Sequence, residues 1–146
     1  MGRYLSIIYA WLMTEKSAIE ILKLLLHKYP EAARHADNEN GTLPLHMASG
    51  FGGSRSPEFC RVLIEAYPGS ERISDASGEL PLHFACYKNT LATVEYLYKL
   101  YPDAINHTSA SDPPIANAVM GMKERDNPTA AEEIVKFLLD CDPSVA

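Results

Sequence analysis

Two histidines occupy matching positions in the chain and are the first residues that could bind a metal ion. His46 lies in the segment Leu-Pro-Leu-His-Met-Ala, and His83 lies in the segment Leu-Pro-Leu-His-Phe-Ala. Zinc sites on helices need further ligands at short spacing, such as a second histidine four residues away. Neither histidine has such a partner, so the spacing predicts no metal site.

Three cysteines, Cys60, Cys86 and Cys141, are the candidate nucleophiles. A catalytic cysteine needs a histidine and an acid or amide in a matching arrangement, and the sequence contains no such motif. Cys60 and Cys86 fall in apolar segments and are predicted to be small buried side chains. An odd and sparse set fits a reducing compartment better than a disulfide framework. We therefore expect an intracellular, cytoplasmic protein that is not an enzyme and needs no cofactor.

Charge and hydropathy disfavour two classes of partner. The chain carries 13 basic and 19 acidic residues, for a net charge of −6, and has no basic run of the kind that binds nucleic acid. No apolar stretch reaches the roughly 18 residues that a membrane helix needs. The first 13 residues loosely match a secretory signal or a myristoylation pattern. The repeat described next offers a different interpretation, as the apolar core of a short helix.

The chain repeats itself. The two histidine segments are 37 residues apart, and Tyr-Pro occurs at Tyr29, Tyr67 and Tyr101. Two apolar pairs precede each Tyr-Pro at fixed distances, and a fourth set precedes Asp142-Pro143: Ile21-Leu22 with Leu25-Leu26, Phe59-Cys60 with Leu63-Ile64, Thr93-Val94 with Leu97-Tyr98, and Ile134-Val135 with Leu138-Leu139. This spacing places one apolar stripe on a helix, so it predicts four equivalent long helices.

Start and stop signals bound these helices. Ser17 and Thr129, each followed three residues later by glutamate, predict capping boxes, and Ser56-Pro57 predicts an N-cap followed by proline. Pro44 and Pro81 predict the first turn of a shorter helix ahead of each long one. The proline of each Tyr-Pro prevents the long helix from continuing.

One short and one long helix per unit, with Pro-Leu-His-x-Ala in the short one, resembles the ankyrin repeat. The resemblance implies an all-α solenoid of about four stacked helix pairs. It also implies that the histidines bond backbone groups that link adjacent repeats. We expect a single array with a partial repeat over residues 1–37, repeats over 38–74 and 75–107, and a degenerate repeat over 108–146. Leucine replaces the family's threonine before the proline, so the usual threonine–histidine side-chain bond cannot form.

Ankyrin arrays bind other proteins through a groove lined by the turn tips and the exposed side of the short helices. We call this the groove face. Carried over position by position, it contains Glu39, Asn40, Thr42, Phe51, Ala76, Ser77, Glu79, Tyr87, Lys88, Asp112 and Met120. Aromatic residues and methionine within a polar rim are typical of interface centres. An alternative function is that of a regulatory or targeting segment of a larger enzyme or channel. The tyrosines that recur once in each repeat are interpreted as packing residues and not as recognition residues.

Overall fold

The structure, a computed structural model, describes residues 18–50, 56–108, 112–122 and 128–145. Within these ranges it contains seven α-helices: α1 (Ala18–Lys28), α2 (Pro44–Gly50), α3 (Ser56–Ala66), α4 (Pro81–Lys88), α5 (Leu91–Leu100), α6 (Pro114–Gly121) and α7 (Pro128–Cys141). The short helices α2, α4 and α6 each pack on the long helix that follows, and each pair packs on the next pair. The predicted all-α repeat array is confirmed. The predicted short helix over 5–13 and the cap at Ser17 lie outside the described residues.

The apolar stripes of the long helices form the core. Leu22, Leu63, Val94, Leu97 and Ile134 are among the residues almost fully removed from solvent. They belong to the pairs that the sequence spacing singled out, and in each pair at least one residue is buried while its partner is buried or half-buried. Burying such side chains against the neighbouring unit stabilises the array by about 1.5–3 kcal/mol for each large aliphatic residue.

The long helices end where the Tyr-Pro landmarks predict. The last residues of α1, α3 and α5 are each followed directly by a tyrosine and then a proline. Tyr101 leaves helical geometry with φ −146° and ψ 79°. A short 3₁₀ turn follows every long helix, over Pro30–Arg34, Ser70–Arg72, Pro102–Asn106 and Pro143–Val145. The sequence analysis did not foresee these turns, although proline suits their first position.

The short helices begin at Pro44, Pro81 and Pro114, as the sequence predicts. One predicted start differs, because α7 already includes Pro128 and Thr129, whereas a capping box would place Thr129 before the first helical turn. The connection between the two helices of a unit varies in length. Two residues, Asn89 and Thr90, separate α4 from α5, whereas residues 51–55 separate α2 from α3.

The arginines that end the first two 3₁₀ turns each contact the following unit. The guanidinium of Arg34 lies 4.4 Å from the centre of the Tyr67 ring, and that of Arg72 lies 4.7 Å from the centre of the Tyr101 ring. Such cation–π contacts contribute about 0.5–1 kcal/mol at exposed positions. These contacts support the interpretation of the landmark tyrosines as packing residues.

A buried polar network joins the α2–α3 unit to the α4–α5 unit, at what we call the second junction. Asn89 is buried, and its Nδ2 donates to the carbonyl oxygen of Ser49 (2.7 Å) and to Oγ of Ser56 (2.6 Å). Its Oδ1 accepts from the backbone N–H of Thr90 (2.7 Å) and from Oγ1 of Thr93 (3.2 Å). Each polar atom of the Asn89 side chain is therefore paired.

Candidate functional site

The turn tips that precede the short helices are built alike. Oδ1 of Asp37 accepts the backbone N–H groups of Glu39 (3.1 Å) and Asn40 (2.6 Å), and the N–H of Asn40 holds the pKa of Asp37 below its usual range. Oδ1 of Asp75 likewise accepts two backbone N–H groups, from Ser77 and from Glu79, both at 2.9 Å. These bonds fix the tips and therefore the direction in which neighbouring side chains project.

The two tips are joined to one another. The backbone N–H of Ala76 donates to the carbonyl oxygen of Asn40 at 2.8 Å. Gly41 and Gly78 hold equivalent left-handed conformations, with φ of +63° and +83°. A residue with a side chain would be strained there. The tips are consequently a continuous feature that runs from unit to unit.

Both histidines are structural. Nδ1 of His46 accepts the backbone N–H of Leu43 at 2.9 Å, so its proton lies on Nε2, which donates to the carbonyl oxygen of Ile73 at 2.9 Å. His83 repeats this geometry with Leu80 (3.0 Å) and the carbonyl oxygen of His107 (2.9 Å). In each case the backbone N–H of the leucine before the proline donates to Nδ1 of the histidine. This bond is made although the leucine has no hydroxyl group, unlike the threonine that is usual at this position of the repeat. Burial lowers the pKa of both imidazoles.

A pocket of about 310 Å³ opens on the groove face between the α4–α5 unit and the α6–α7 unit, at the third junction. The described residues that line it are Glu79, Phe84, Tyr87, Asn117 and Met120. Three of these are predicted groove residues, which the structure brings together around one opening. Gly121 permits the close approach, because a Cβ there would overlap the backbone carbonyl of Tyr87.

The other predicted groove residues lie outside this pocket. Glu39, Asn40, Ala76, Ser77, Lys88 and Asp112 are exposed, and Thr42 is half-buried. The Nζ of Lys88 lies 5.8 Å from the centre of the Tyr87 ring, so one positive charge borders the opening. Phe51 lies outside the described residues.

Sequence reasoning missed Phe84 and Asn117. Both occupy the variable position of the Pro-Leu-His-x-Ala segment, where Asn117 follows Ala116 in a unit that lacks the histidine. The segment was treated as core because its leucine, histidine and alanine pack between repeats. The signal that could have found the two residues is the variability of x itself, which takes Met47, Phe84 and Asn117 in successive units.

The remaining candidates for chemistry have structural environments. Cys60 is fully buried, and burial raises the pKa of its thiol to about 11, which keeps it protonated. Among the described residues no group of three or more histidine, cysteine or acidic side chains is placed to hold a metal ion. In the same part of the chain, every helix is too short or too polar to cross a bilayer.

Stacked helix pairs, linked by backbone-bonded histidines and by turn tips that contact their neighbours, define a helical repeat protein of the solenoid class. A family model described as ankyrin repeats (3 copies) matches residues 9–109, and the chain belongs to the ankyrin-repeat family. Members of this family are generally modules for protein–protein interaction and are not catalytic. No curated protein matches the chain.

Proposed function

We propose that the protein binds a segment of another protein along its groove face, with the pocket at the third junction as the centre of the contact. The observation that carries the proposal is the clustering of Glu79, Tyr87 and Met120 around one opening. Met120 is 49% exposed, although removing a large apolar side chain from water lowers the free energy. An aromatic residue and a methionine beside a carboxylate suit the centre of an interface with a polar rim.

The side chains of Tyr87 and Met120 lie apart from the buried stripes and histidine bonds that hold the array together. None of the three residues belongs to the buried stripes of the long helices or makes the histidine bonds described above. Their removal is therefore expected to affect binding more than folding. We further propose that the protein acts inside the cell, in a reducing compartment, which the buried thiol of Cys60 supports.

A matched pair of double variants tests the proposal. Tyr87→Ala with Met120→Ala removes the apolar lining of the pocket. Leu24→Ala with Val119→Ala removes two apolar side chains that are 69% and 53% exposed but do not line it. Both variants should keep their free energy of unfolding within about 1 kcal/mol of the wild type, as surface changes usually do.

The readout is quantitative affinity capture followed by mass spectrometry and a direct measurement of Kd for each protein captured. The pocket variant should bind its partners at least about thirtyfold more weakly, since truncating buried anchors typically costs 2 kcal/mol or more. The control variant should bind like the wild type. Equal capture by both folded variants would place binding elsewhere on the protein and contradict the proposal.

A further inference from the structure

The carboxamide of Asn117 has one polar atom without a hydrogen-bond partner in the described part of the chain. Its Nδ2 donates to Oε1 of Glu79 at 3.2 Å, which fixes the orientation of the amide because a carboxylate can only accept. The Oδ1 that remains is buried, no residue that the structure describes donates a hydrogen bond to it, and Asn117 is only 5% exposed. Native proteins rarely leave such an acceptor unpaired, so a group that donates to it is expected from outside.

The walls of the pocket restrict what that donor can be. Phe84, Tyr87 and Met120 offer apolar surface, whereas Glu79 and Asn117 offer oxygen acceptors. A suitable ligand therefore has an apolar stem and ends in several N–H donors with positive charge. The chain's net charge of −6 also favours a cationic ligand over an anionic one.

Arginine meets these requirements better than lysine. The guanidinium carries five N–H donors in a fixed plane and can serve two acceptors at once, and it stacks well on aromatic rings. Its methylene stem packs on apolar side chains. A lysine ammonium is a strongly hydrated point charge that is costlier to desolvate. We infer that the pocket at the third junction receives an arginine side chain of the bound protein. The guanidinium is held by Glu79 and, after a small shift of the side chains that cover it, by Oδ1 of Asn117. This inference rests on the proposed function and specifies its anchor residue.

Variants of the neighbouring Lys88 can test whether charge contributes to binding in this pocket. Its ammonium borders the opening and repels an incoming guanidinium. Removing that charge by Lys88→Ala should strengthen arginine binding, whereas removing the charge of Glu79 should weaken it. Opposite effects of two neighbouring variants are not expected from a general disturbance of the fold.

The test is an NMR titration of the full chain with the capped peptide acetyl-Gly-Arg-Gly-amide. The observed signals are the side-chain amide of Asn117 and the methyl group of Met120. The matching citrulline peptide keeps the shape of arginine but lacks its charge. We expect saturable shifts with the arginine peptide, and a Kd at least about tenfold weaker with citrulline, because charged hydrogen bonds are the stronger ones.

Two protein variants complete the design. Glu79→Gln should weaken the arginine peptide about tenfold or more, whereas Glu31→Gln, the same charge change at an exposed residue outside the groove face, should leave Kd within about twofold. Thermal unfolding of each variant checks that it is folded. Equal binding of the arginine and citrulline peptides, equal effects of the two glutamine variants, or no saturable shift over the soluble range of the peptide would overturn the inference.

The arginine inference and the proposed function can fail separately. If the capture of partners depends on Tyr87 and Met120 but the arginine peptide does not bind, the proposed function is supported and the arginine inference is contradicted. If the peptide binds as expected but the pocket variant keeps every partner, the arginine inference is supported and the proposed function is contradicted.

Discussion

The second and third junctions are built from the same elements but satisfy their polar groups differently. At the second junction the buried amide of Asn89 uses all of its donors and acceptors within the protein. At the third junction, within the described residues, the buried amide of Asn117 makes one bond and keeps an acceptor unpaired beside a cavity. A repeat array can therefore pair every polar atom of a buried amide at one junction and leave an acceptor open at the next.

The same contrast recurs at the opposite ends of the long helices. Arginine stacks on tyrosine between the first three units. At the third junction the corresponding positions hold Asn106 and Asp142, whose side chains hydrogen-bond at 3.1 Å on the exposed surface. The third junction therefore has a hydrogen bond on the exposed surface where the first two junctions have a cation–π contact.

The largest expected effect comes from the buried amides. Asn89→Ala should lower the free energy of unfolding by about 3 kcal/mol or more, because it leaves several buried groups unpaired at once. Asn117→Ala should change it by no more than about 1 kcal/mol, since it removes one bond together with an unpaired acceptor. Chemical denaturation with urea measures both values. A similar loss in the two variants would show that the junctions do not differ as described.

Two glycines give a second comparison. Gly121→Ala should cost about 1–3 kcal/mol, because its Cβ would overlap the carbonyl of Tyr87 and force α6 away from α4. Gly50→Ala is the control, since its Cβ would lie 3.5 Å from the Phe84 ring, an ordinary contact. Alanine there should be neutral or stabilise the helix by up to about 1 kcal/mol. Thermal unfolding distinguishes the two, and equal melting temperatures would contradict the close packing at the third junction.

Acid should weaken the histidine contacts that both junctions share. Burial keeps His46 and His83 neutral in the folded protein, with pKa values below the ordinary 6.5. An unfolded chain binds these protons near pH 6.5, so the stabilisation is present above that pH and is lost as the pH falls below it. The slope reaches at most about 1.4 kcal/mol per pH unit for each histidine.

Urea unfolding between pH 7 and pH 5 measures this dependence. His83→Gln, whose side chain does not titrate in the range, should decline less steeply than the wild type although it begins less stable. An unchanged slope in that variant would mean that other groups cause the acid sensitivity. Added zinc or a chelator should leave the melting temperature unchanged if the histidines serve only their backbone bonds.

The sequence predicted the helices well because their signals are local. Proline sets the first turn of each short helix, and Tyr-Pro sets the last residue of α1, α3 and α5, whatever the neighbouring units do. The 3₁₀ turns were missed since no apolar period marks so short an element. The start of α7 was placed too late because Thr129 was given a capping role although the helix already contains it.

Only part of the candidate site could be predicted from the sequence. Glu79, Tyr87 and Met120 follow from the repeat register, because equivalent positions of stacked units share one face. The hydrogen bond from Asn117 to Glu79 spans two units and depends on their spacing, which no local pattern encodes. Whether these residues bind a partner stays a prediction until the variants are tested, and so do the repeat boundaries.

The unequal connections between paired helices have a consequence for how such an array can change over generations. Each of the three helix pairs that the structure describes is anchored at both ends, by the proline that opens its short helix and by the Tyr-Pro or Asp-Pro that follows its long one. Insertions and deletions between the two helices therefore leave the anchors in place, as the two residues of one unit and the five of another illustrate. The connection between paired helices is therefore the segment where residues can be inserted during evolution without displacing the packed helix pairs.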